Sequence, residues 1–412
     1  MPLPEHGLPL EVIVDTLKAK RARDASWQTG RTFGMVFDGG PEVHAVAEVV
    51  ATMFLHENAL NTRAFPSLAE IQSEVVDACA HLFHGPETAA GFMTSGGTES
   101  ILVAVKAARD RAVFERDVIE PEMVLANSAH AAFHKAAHLF GVRARTVPVA
   151  ADFRADVNAM AQHVNERTVL VVGSAPQYPQ GVIDPIPEIA ELAASVDAWM
   201  HVDACMGGFV LPFMEMNGEP IPAWDFRVPG VMSISADVHK LGYAPKGASV
   251  IVHRTKELRR YQTFVFDDWL GGLYASPNLQ GSRPGLPMAT AWAVMNHLGV
   301  EGYRRLTTVA IEAARRIRSA IAEIDSLRVL GEPNAHLHAF AGDGIDAFAV
   351  GDAMHARGWH LDRQQPPDSL HMTVSAGNAP VVDEFVRDLR ASVHEVGVGR
   401  AEDRSTNYAT TE

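Results

Sequence analysis

The chain has 412 residues, of which 47% are hydrophobic and 21% charged, and its formal net charge is −15 at pH 7. This length predicts a large domain with a smaller one, and the composition is that of a globular protein rather than a disordered or fibrous one. The negative charge and the lack of a basic run argue against nucleic-acid binding, because phosphates need cationic partners.

The cysteines and the N-terminal residues indicate the cellular compartment. Cys79 and Cys205 are the only cysteines and neither belongs to a CxxC motif, so we expect no disulfide framework and no zinc cluster. The opening MPLPEHGLPLEVIVDTL contains acids and prolines but no long apolar core, and no run of about 18 apolar residues follows it. We therefore expect neither a signal peptide nor a membrane anchor, and we predict a cytoplasmic protein.

The predicted elements alternate between helices and short apolar strands. Helices are predicted over Leu10–Arg23, Ile101–Ala112, 129–140 (ending at Gly141) and Pro187–Val196, and strands over Met123–Asn127, Thr168–Pro176, Trp199–Cys205, Val231–Asp237 and Ala248–Arg254. Apolar strands separated by helices indicate parallel strands buried on both faces, which is a doubly wound α/β sheet. After about Gly299 a long helix, Tyr303–Ile324, and the strand signals SLRVLG and SLHMTVS indicate a smaller α+β domain.

A glycine-rich turn, TSGGTES at Thr94–Ser100, stands directly before a predicted helix. Two glycines let the backbone approach a ligand closely, and the free N–H groups of a helix start attract anions. The same residues are also compatible with an ordinary helix cap that has Glu99 in the first turn. The pattern GxxxxGK[ST] does not occur, so this is not a nucleoside-triphosphate loop.

Two ionisable side chains follow apolar strands, at the edge where open α/β sheets bind ligands. Asp203 ends WMHVDAC, and a buried carboxylate needs a cationic partner such as a protonated pyridine nitrogen; a helix-capping aspartate is the alternative. Lys240 lies in SADVHKLGYAPKG, where we expect partial burial to lower its pKa, as a Schiff-base lysine needs. His239 beside it is a candidate phosphate contact, whereas an isolated lysine here would be a solvated loop residue.

His130, His134 and His138 recur at intervals of four along one predicted helix face. Three histidines spread over eight positions of a helix cannot easily bind one metal ion, and no carboxylate ligand or HExxH pattern accompanies them. We therefore predict no metal site. His130 lies at the helix start, near the strand ends, where its ring could stack on a planar ligand.

The order of these parts is more specific than any one of them. An anion loop, a histidine, a strand-end aspartate and a His-Lys pair are what pyridoxal 5'-phosphate needs: a phosphate cradle, a stacking partner, a carboxylate for its ring nitrogen and a lysine. We therefore predict a fold-type-I pyridoxal phosphate enzyme of the aspartate aminotransferase-like class, with a mostly parallel large-domain sheet and a smaller C-terminal α+β domain.

The chain resembles the sphingosine-1-phosphate lyase branch of the group II pyridoxal phosphate decarboxylase family. The resemblance rests on MTSGGTESILVAVKAARD, HVDACMGGFVLPF, SISADVHKLGYAPKGASVIVHR, GSRPG and GWHLDRQQPPDSLHMTV, and extends from about Gly30 to Leu389. It implies that residues 1–55 form an N-terminal helix and dimer-contacting segment, 56–299 a large cofactor-binding domain and 300–400 a small domain. The polar tail, 401–412, we expect to be disordered.

By this resemblance, Lys240 forms the Schiff base, Asp203 contacts the pyridine nitrogen and His130 stacks on the ring. Further cofactor contacts are expected from Gly96, Gly97, Thr98, Cys205 and His239, with Gly97, Thr98 and His239 on the phosphate. Gly281 and Ser282 would reach the phosphate of the partner subunit's cofactor, which implies a homodimer with active sites at the interface. Tyr178 would lie near the substrate as a candidate proton shuttle, and Lys246 would bind the substrate's own phosphate.

Two positions depart from the family pattern. The lyases have a tyrosine in GxVSGAVY and a histidine in NPLH, both on the substrate phosphate, whereas this chain has Phe37 in RTFGMVFDGG and Asn61 in NALNTRAFPS. Phenylalanine has no hydroxyl and asparagine carries no charge, so we expect a weaker hold on a phosphate. Neutral drift in the pocket is the alternative interpretation.

Three functions are compatible with these residues. The first is an aldehyde lyase that cleaves a β-hydroxy amine, phosphorylated or not, to an aldehyde and a smaller amine. The second is an amino-acid decarboxylase of the same fold, which would release carbon dioxide and need a cationic group facing the substrate carboxylate. The third, a non-catalytic cofactor-binding protein, is disfavoured because Lys240 and Asp203 are both present.

Overall fold

The computed structural model describes residues 2–406 and 408–409. The helices are α1 Leu10–Arg21, α2 Pro41–Met53, α3 Pro66–Leu82, α4 Gly97–Arg116, α5 Ala132–Phe140, α6 Val157–Ala161, α7 Ile186–Ala194, α8 Leu211–Met216, α9 Lys256–Arg259, α10 Gly285–Ala322, α11 Ala347–Ala356 and α12 Val382–Val396. The strands are β1 Ala90–Thr94, β2 Glu122–Ala126, β3 Arg143–Val147, β4 Thr168–Ser174, β5 Trp199–Asp203, β6 Val231–Ala236, β7 Ser249–His253, β8 Phe264–Phe266, β9 Tyr274–Ser276, β10 Leu327–Val329, β11 Leu337–Gly342, β12 Asp362–Gln364 and β13 Ser369–Thr373.

The larger sheet has seven strands in the order β1-β7-β6-β5-β4-β2-β3. Every residue of β2, β4, β5 and β7 is buried, as expected for strands covered by helices on both faces. The predicted α/β sheet is confirmed, with one exception: β7 runs antiparallel to both of its neighbours, β6 and β1. The loop between β6 and β7 contains no helix, and a parallel return would need a longer crossover connection.

The antiparallel direction of β7 determines the direction of its other neighbour, β1. Because β1 is antiparallel to β7, it runs in the same direction as β6, β5 and β4. The carboxyl ends of β1, β5 and β6 therefore lie on one edge of the sheet, where ligands of open α/β sheets bind.

A second sheet lies later in the chain. It is four-stranded and antiparallel, in the order β10-β11-β13-β12, and packs with α10, α11 and α12 around a second group of buried apolar residues that includes Phe340, Trp359 and Phe385. The predicted helix Tyr303–Ile324 is the second half of α10, which bends at Gly299, a residue with φ of 55°. Among the described residues, no helix combines the length and apolar character needed to cross a membrane.

The tail contains both described and undescribed residues. Residues 401–406 and Tyr408–Ala409 are described, and within them Asp403 accepts a hydrogen bond from Arg363 of the second sheet, whereas Asn407 and Thr410–Glu412 lie outside the described residues. For these last residues, the expectation of disorder stays a prediction.

Glu122 joins three segments at the edge of the sheet away from the ligand side. Its side chain is 1% exposed and accepts bonds from Arg145 on β3 at 2.7 and 3.0 Å and from Asn165 before β4 at 3.1 Å, and it pairs with Arg167 at 3.0 Å. The hydrogen bonds from Arg145, the largest of several favourable contacts, lower the pKa of Glu122 to about 2. Since the unfolded carboxyl titrates near pH 4.3, the ionised form stabilises the fold.

We expect Glu122→Gln to lower the free energy of unfolding by about 2 kcal/mol at pH 7, as measured by urea denaturation. A lowered folded-state pKa stabilises above the unfolded pKa, so the difference from wild type should shrink as pH falls from about 4 toward 2. The matched control is Glu120→Gln, because Glu120 is 78% exposed and pairs with the same Arg167. That control should stay within about 0.5 kcal/mol of wild type, and equal losses in both variants would contradict the prediction.

Candidate functional site

The strand ends bring the predicted site residues to one cavity of about 470 Å³. Asp203 is the last residue of β5, Lys240 follows the end of β6 by four residues, and α4 begins three residues after β1. The cavity is lined by most of the predicted cofactor contacts, namely Gly96, Gly97, Thr98, His130, Asp203, Cys205, His239 and Lys240, and also by Asp237 and Tyr408.

Lys240 faces a carboxylate that the sequence analysis did not single out. Its Nζ lies 2.9 Å from Oδ2 of Asp237, and the two side chains are 17% and 2% exposed. The other carboxylate oxygen of Asp237 accepts a bond from the Ser249 hydroxyl at 2.5 Å. Its position at the end of β6, three residues before Lys240, was a signal that could have identified Asp237, because it is the same signal that identified Asp203.

The expected lowering of the Lys240 pKa is wrong. Burial by itself would lower this pKa, but the negative charge of Asp237 raises it above its ordinary value. For Asp237, burial acts to raise the pKa, but the charge of Lys240 is the leading cause that lowers it below its usual range. Lys240 is therefore held as an ammonium inside the cavity and does not project into bulk water.

Asp203 is oriented by neighbours on two strands. Its Oδ1 accepts hydrogen bonds from the Cys205 amide at 3.0 Å and from the Ser235 hydroxyl at 3.3 Å. Its Oδ2 makes no hydrogen bond with the described part of the chain, although the residue is only 7% exposed. Because Asp203 lines the cavity, this oxygen can accept a hydrogen bond from a ligand, such as the N–H of a protonated pyridine ring.

The start of α4 provides donors for an anion. The N-cap is Gly96, and no side chain caps the helix, so the expected alternative of a Ser or Thr cap is not observed. The side chain of Glu99 binds two backbone amides outside the helix: its oxygens accept hydrogen bonds from Ser95 at 2.6 Å and from Leu279 at 2.8 Å. The first residues of this 20-residue helix, Gly97 to Glu99, line the cavity, and the free N–H groups of a helix start suit a phosphate.

Glycine at position 97 is required by the packing behind this loop. A Cβ on Gly97 would lie 2.8 Å from Sγ of Cys205 and 2.9 Å from Oδ2 of Asp237. A side chain here would displace the carboxylate that pairs with Lys240. The anion site and the lysine site are therefore parts of one packed unit.

His130 precedes α5 and is half-buried beside the cavity. Its Nδ1 accepts a hydrogen bond from the amide of Ala132 at 3.1 Å, and burial lowers its pKa below the usual value. Burial likewise lowers the pKa of His239, to about 4. Both rings are therefore neutral at pH 7, and neutral imidazoles can stack on a ring or donate one hydrogen bond.

The remaining predicted residues do not line this cavity in the described chain. Tyr178 lines an adjoining cavity that also includes His130 and Tyr408, and its hydroxyl donates to Asp362 at 2.7 Å. Lys246 donates to the His239 carbonyl at 2.9 Å and lies over the ring of Phe37, 4.7 Å from its centroid. The others, Asn61, Gly281 and Ser282, are not among the residues that line the cavity, although Leu279 and Gln280, directly before Gly281, do line it.

The residues of the cavity fit pyridoxal phosphate. The unpartnered Asp203 oxygen matches the ring nitrogen, the α4 amides match the phosphate and Lys240 matches the aldehyde. Each polar part of the cofactor would thus meet a complementary group: an acceptor for the ring N–H, donors for the phosphate and an amine for the aldehyde.

Comparison with known proteins agrees with this geometry. The family described as the pyridoxal-dependent decarboxylase conserved domain matches residues 7–341. The sphingosine-1-phosphate lyase of Arabidopsis thaliana is 44% identical over 402 residues, which is 96% of this chain and 74% of that protein. A probable sphingosine-1-phosphate lyase of Legionella pneumophila is 35% identical over 81% of this chain and 57% of its own length.

Solved structures show the same relationship. The sphingosine-1-phosphate lyase of Burkholderia pseudomallei superposes with a TM-score of 0.92 at 41% identity, covering 96% of this chain and 92% of that one. A glutamate decarboxylase of Lactobacillus brevis, at 21% identity and a TM-score of 0.83, shares the fold. With the family match covering most of its length, the chain belongs to the pyridoxal-dependent decarboxylase family.

Proposed function

We propose that this protein is a pyridoxal phosphate-dependent carbon–carbon lyase that cleaves a β-hydroxy amine to an aldehyde and a smaller amine. The observation that carries the proposal is the cavity in which Lys240, Asp203 and the start of α4 meet. It occurs in a chain that is 44% identical to a sphingosine-1-phosphate lyase over 96% of its length. We therefore propose a phosphorylated long-chain amine as the substrate.

In this proposal each part of the cavity has a separate role in binding the cofactor or moving a proton. When bound, pyridoxal phosphate supplies a conjugated electron sink for the electron pair of the broken carbon–carbon bond. Asp203 would keep the ring nitrogen protonated, and the α4 amides would hold the phosphate. Lys240 would hold the aldehyde and, once displaced by the substrate amine, would accept or return a proton. The substrate hydroxyl loses its proton as its carbon becomes the aldehyde, and the carbon bearing the amine gains one.

Incubation with a phosphorylated long-chain β-hydroxy amine should give aldehyde and amine in equal amounts, without carbon dioxide. Lys240→Ala should abolish turnover and also the mass that borohydride reduction of the loaded enzyme adds to the chain. Lys246→Ala, in the same loop, is the matched control and should retain that mass. Release of carbon dioxide from α-amino acids without aldehyde would favour the decarboxylase instead, and a mass increase on Lys240→Ala would disprove the lysine assignment.

The hold on the substrate phosphate depends on Lys246. Of the four residues proposed for substrate binding, Phe37, Asn61, Tyr178 and Lys246, only the lysine can carry a positive charge at neutral pH. Partial burial of its amine and, to a lesser extent, the charge of Lys240 lower the pKa of Lys246 to about 8. The charge is thus present below pH 8 and lost above it.

We expect kcat/KM for the phosphorylated amine, divided by kcat/KM for the same amine without phosphate, to fall as pH rises through about 8. Taking the ratio cancels other groups that titrate in both reactions. Lys246→Arg, which stays charged, should give a ratio that is flat between pH 7 and 9.5. A fall that persists unchanged in Lys246→Arg would show that another group binds the phosphate.

We further propose a homodimer with each active site at the interface. Leu10, Ile13, Val14 and Leu17 form one apolar stripe on α1, and no residue of that helix is buried within the chain. The β8–β9 hairpin also exposes Trp269 at 54%. Exposed apolar surfaces of this kind favour an interface with another subunit. Gly281 and Ser282 follow this hairpin and would then reach the partner's cavity, and Asn61 would approach it from the same side.

Mixing two inactive variants tests this arrangement. If Ser282 serves the partner's site, refolding Lys240→Ala together with Ser282→Asp at equal amounts should restore about a quarter of the wild-type activity, because half of the dimers are hybrids with one intact site. Each variant refolded alone is the control. No recovery, with hybrids shown by native mass spectrometry, would mean that Ser282 acts on its own subunit's site.

A further inference from the structure

The C-terminal segment reaches the cofactor cavity. The hydroxyl of Tyr408 lies 3.0 Å from Nε2 of His130, and its ring centroid is 5.1 Å from that of Tyr178. Tyr408 lines the same cavity as Lys240 and also the adjoining cavity of Tyr178. Tyr408 is therefore part of the site, although no motif in the polar tail predicts a role for it there.

The hydrogen bonds of His130 determine the direction of the bond to Tyr408. Nδ1 accepts from the Ala132 amide, so it carries no proton, and in the neutral ring the proton is on Nε2. Nε2–H therefore donates to the Tyr408 oxygen, and the hydroxyl proton of Tyr408 is not used in this bond. The planes of the two rings are 80° apart, so the tyrosine does not stack face to face on His130.

Tyr178 differs from Tyr408 in this respect. Its hydroxyl donates to the carboxylate of Asp362 at 2.7 Å, and burial raises the pKa of both groups above their usual values. The proton of Tyr178 is thus engaged by a neighbour within the chain. Of these two tyrosines, Tyr408 is the one whose hydroxyl proton remains available to a bound molecule.

An ionic clip holds the segment that carries Tyr408. Arg404 pairs with Asp346 at 2.7 Å and with Asp368, and the Ala401 amide donates to the same Asp346. Arg363 donates to the Asp403 carbonyl at 2.6 Å. Because Tyr408 is 58% exposed, little packing holds it in place, so its position depends on these polar contacts.

We propose that Arg404 clips the C-terminal segment onto the smaller sheet so that Tyr408 closes one side of the cofactor cavity. There Tyr408 positions His130 through Nε2, and its hydroxyl donates a hydrogen bond, without transfer of the proton, to an oxygen atom of the bound substrate. The substrate contact rests on the proposed lyase function, whereas closure of the cavity does not.

Five loaded enzymes separate these roles: wild type, Tyr408→Phe, Arg404→Ala, Arg404→Lys and Arg400→Ala. Arg400 lies on the same segment outside both ion pairs, which makes its variant the matched control. The first measurement is the rate at which hydroxylamine captures the aldehyde of the bound cofactor, followed by absorbance. The second is kcat and KM on the β-hydroxy amine.

Arg404→Ala should raise the rate of hydroxylamine capture at least threefold and increase KM, because the segment leaves the cavity. Raising the salt concentration should speed capture in wild type but not in Arg404→Ala, since salt screens the exposed pair with Asp368. Tyr408→Phe keeps the ring, so capture should stay within twofold of wild type, while kcat falls about tenfold with little change in KM. Arg404→Lys should restore part of the protection.

Equal capture rates in wild type and Arg404→Ala would overturn the clip, and an unchanged kcat in Tyr408→Phe would overturn the hydroxyl contact. If no β-hydroxy amine reacts with wild type, the proposed lyase function and the substrate contact fail together. The capture rates still decide whether the segment closes the cavity, because they do not depend on the substrate.

Discussion

Lys240 and Asp237 form an ion pair that is almost fully withdrawn from water at the end of β6. Burying two charges costs several kcal/mol each, and only close geometry with further hydrogen bonds offsets this cost. Ser249 supplies such a bond to Asp237, and Gly97 leaves the space that the carboxylate occupies. The anion loop, the two strands and the lysine are therefore mutually dependent, and a change in any of them disturbs the others.

The pair also affects the chemistry of the lysine. An amine must be neutral to attack an aldehyde, and in the described chain Asp237 favours the charged form of Lys240. Lys246 has the lower pKa, yet its amine lies over Phe37 and outside the cavity that contains Asp203. The two lysines thus differ in position and not only in basicity. Lys240 shares its cavity with Asp203 of the neighbouring strand β5, so a cofactor ring that contacts both Lys240 and Asp203 must lie between them.

The substrate side of the site is built differently from the cofactor side. The residues expected to bind the cofactor come mainly from strand ends and one helix start, which are rigid elements of the large domain. The residues proposed to contact the substrate come from loops and from the C-terminal segment. Such segments have fewer packing contacts, so substrate preference can change here while the cofactor geometry stays intact. Phe37 and Asn61, the two departures from the lyase pattern, are both expected to contact the substrate rather than the cofactor.

By itself, the sequence determined the α/β class, the approximate bounds of β4, β5 and β6 and the choice of Lys240 and Asp203 as candidate cofactor residues, which the structure places in one cavity. These follow from local patterns: buried parallel strands are continuous apolar runs, and polar residues after them lie at the ligand-binding edge. Tertiary structure alone decided the antiparallel direction of β7, the pairing of Asp237 with Lys240 and the place of Tyr408 beside His130. His130 and Tyr408 are 278 positions apart, and the tail that carries Tyr408 forms ion pairs from Arg404 to Asp346 and Asp368. No local pattern encodes such a contact, because hydrophobic periodicity reports which face of an element is buried and not which distant segment covers it.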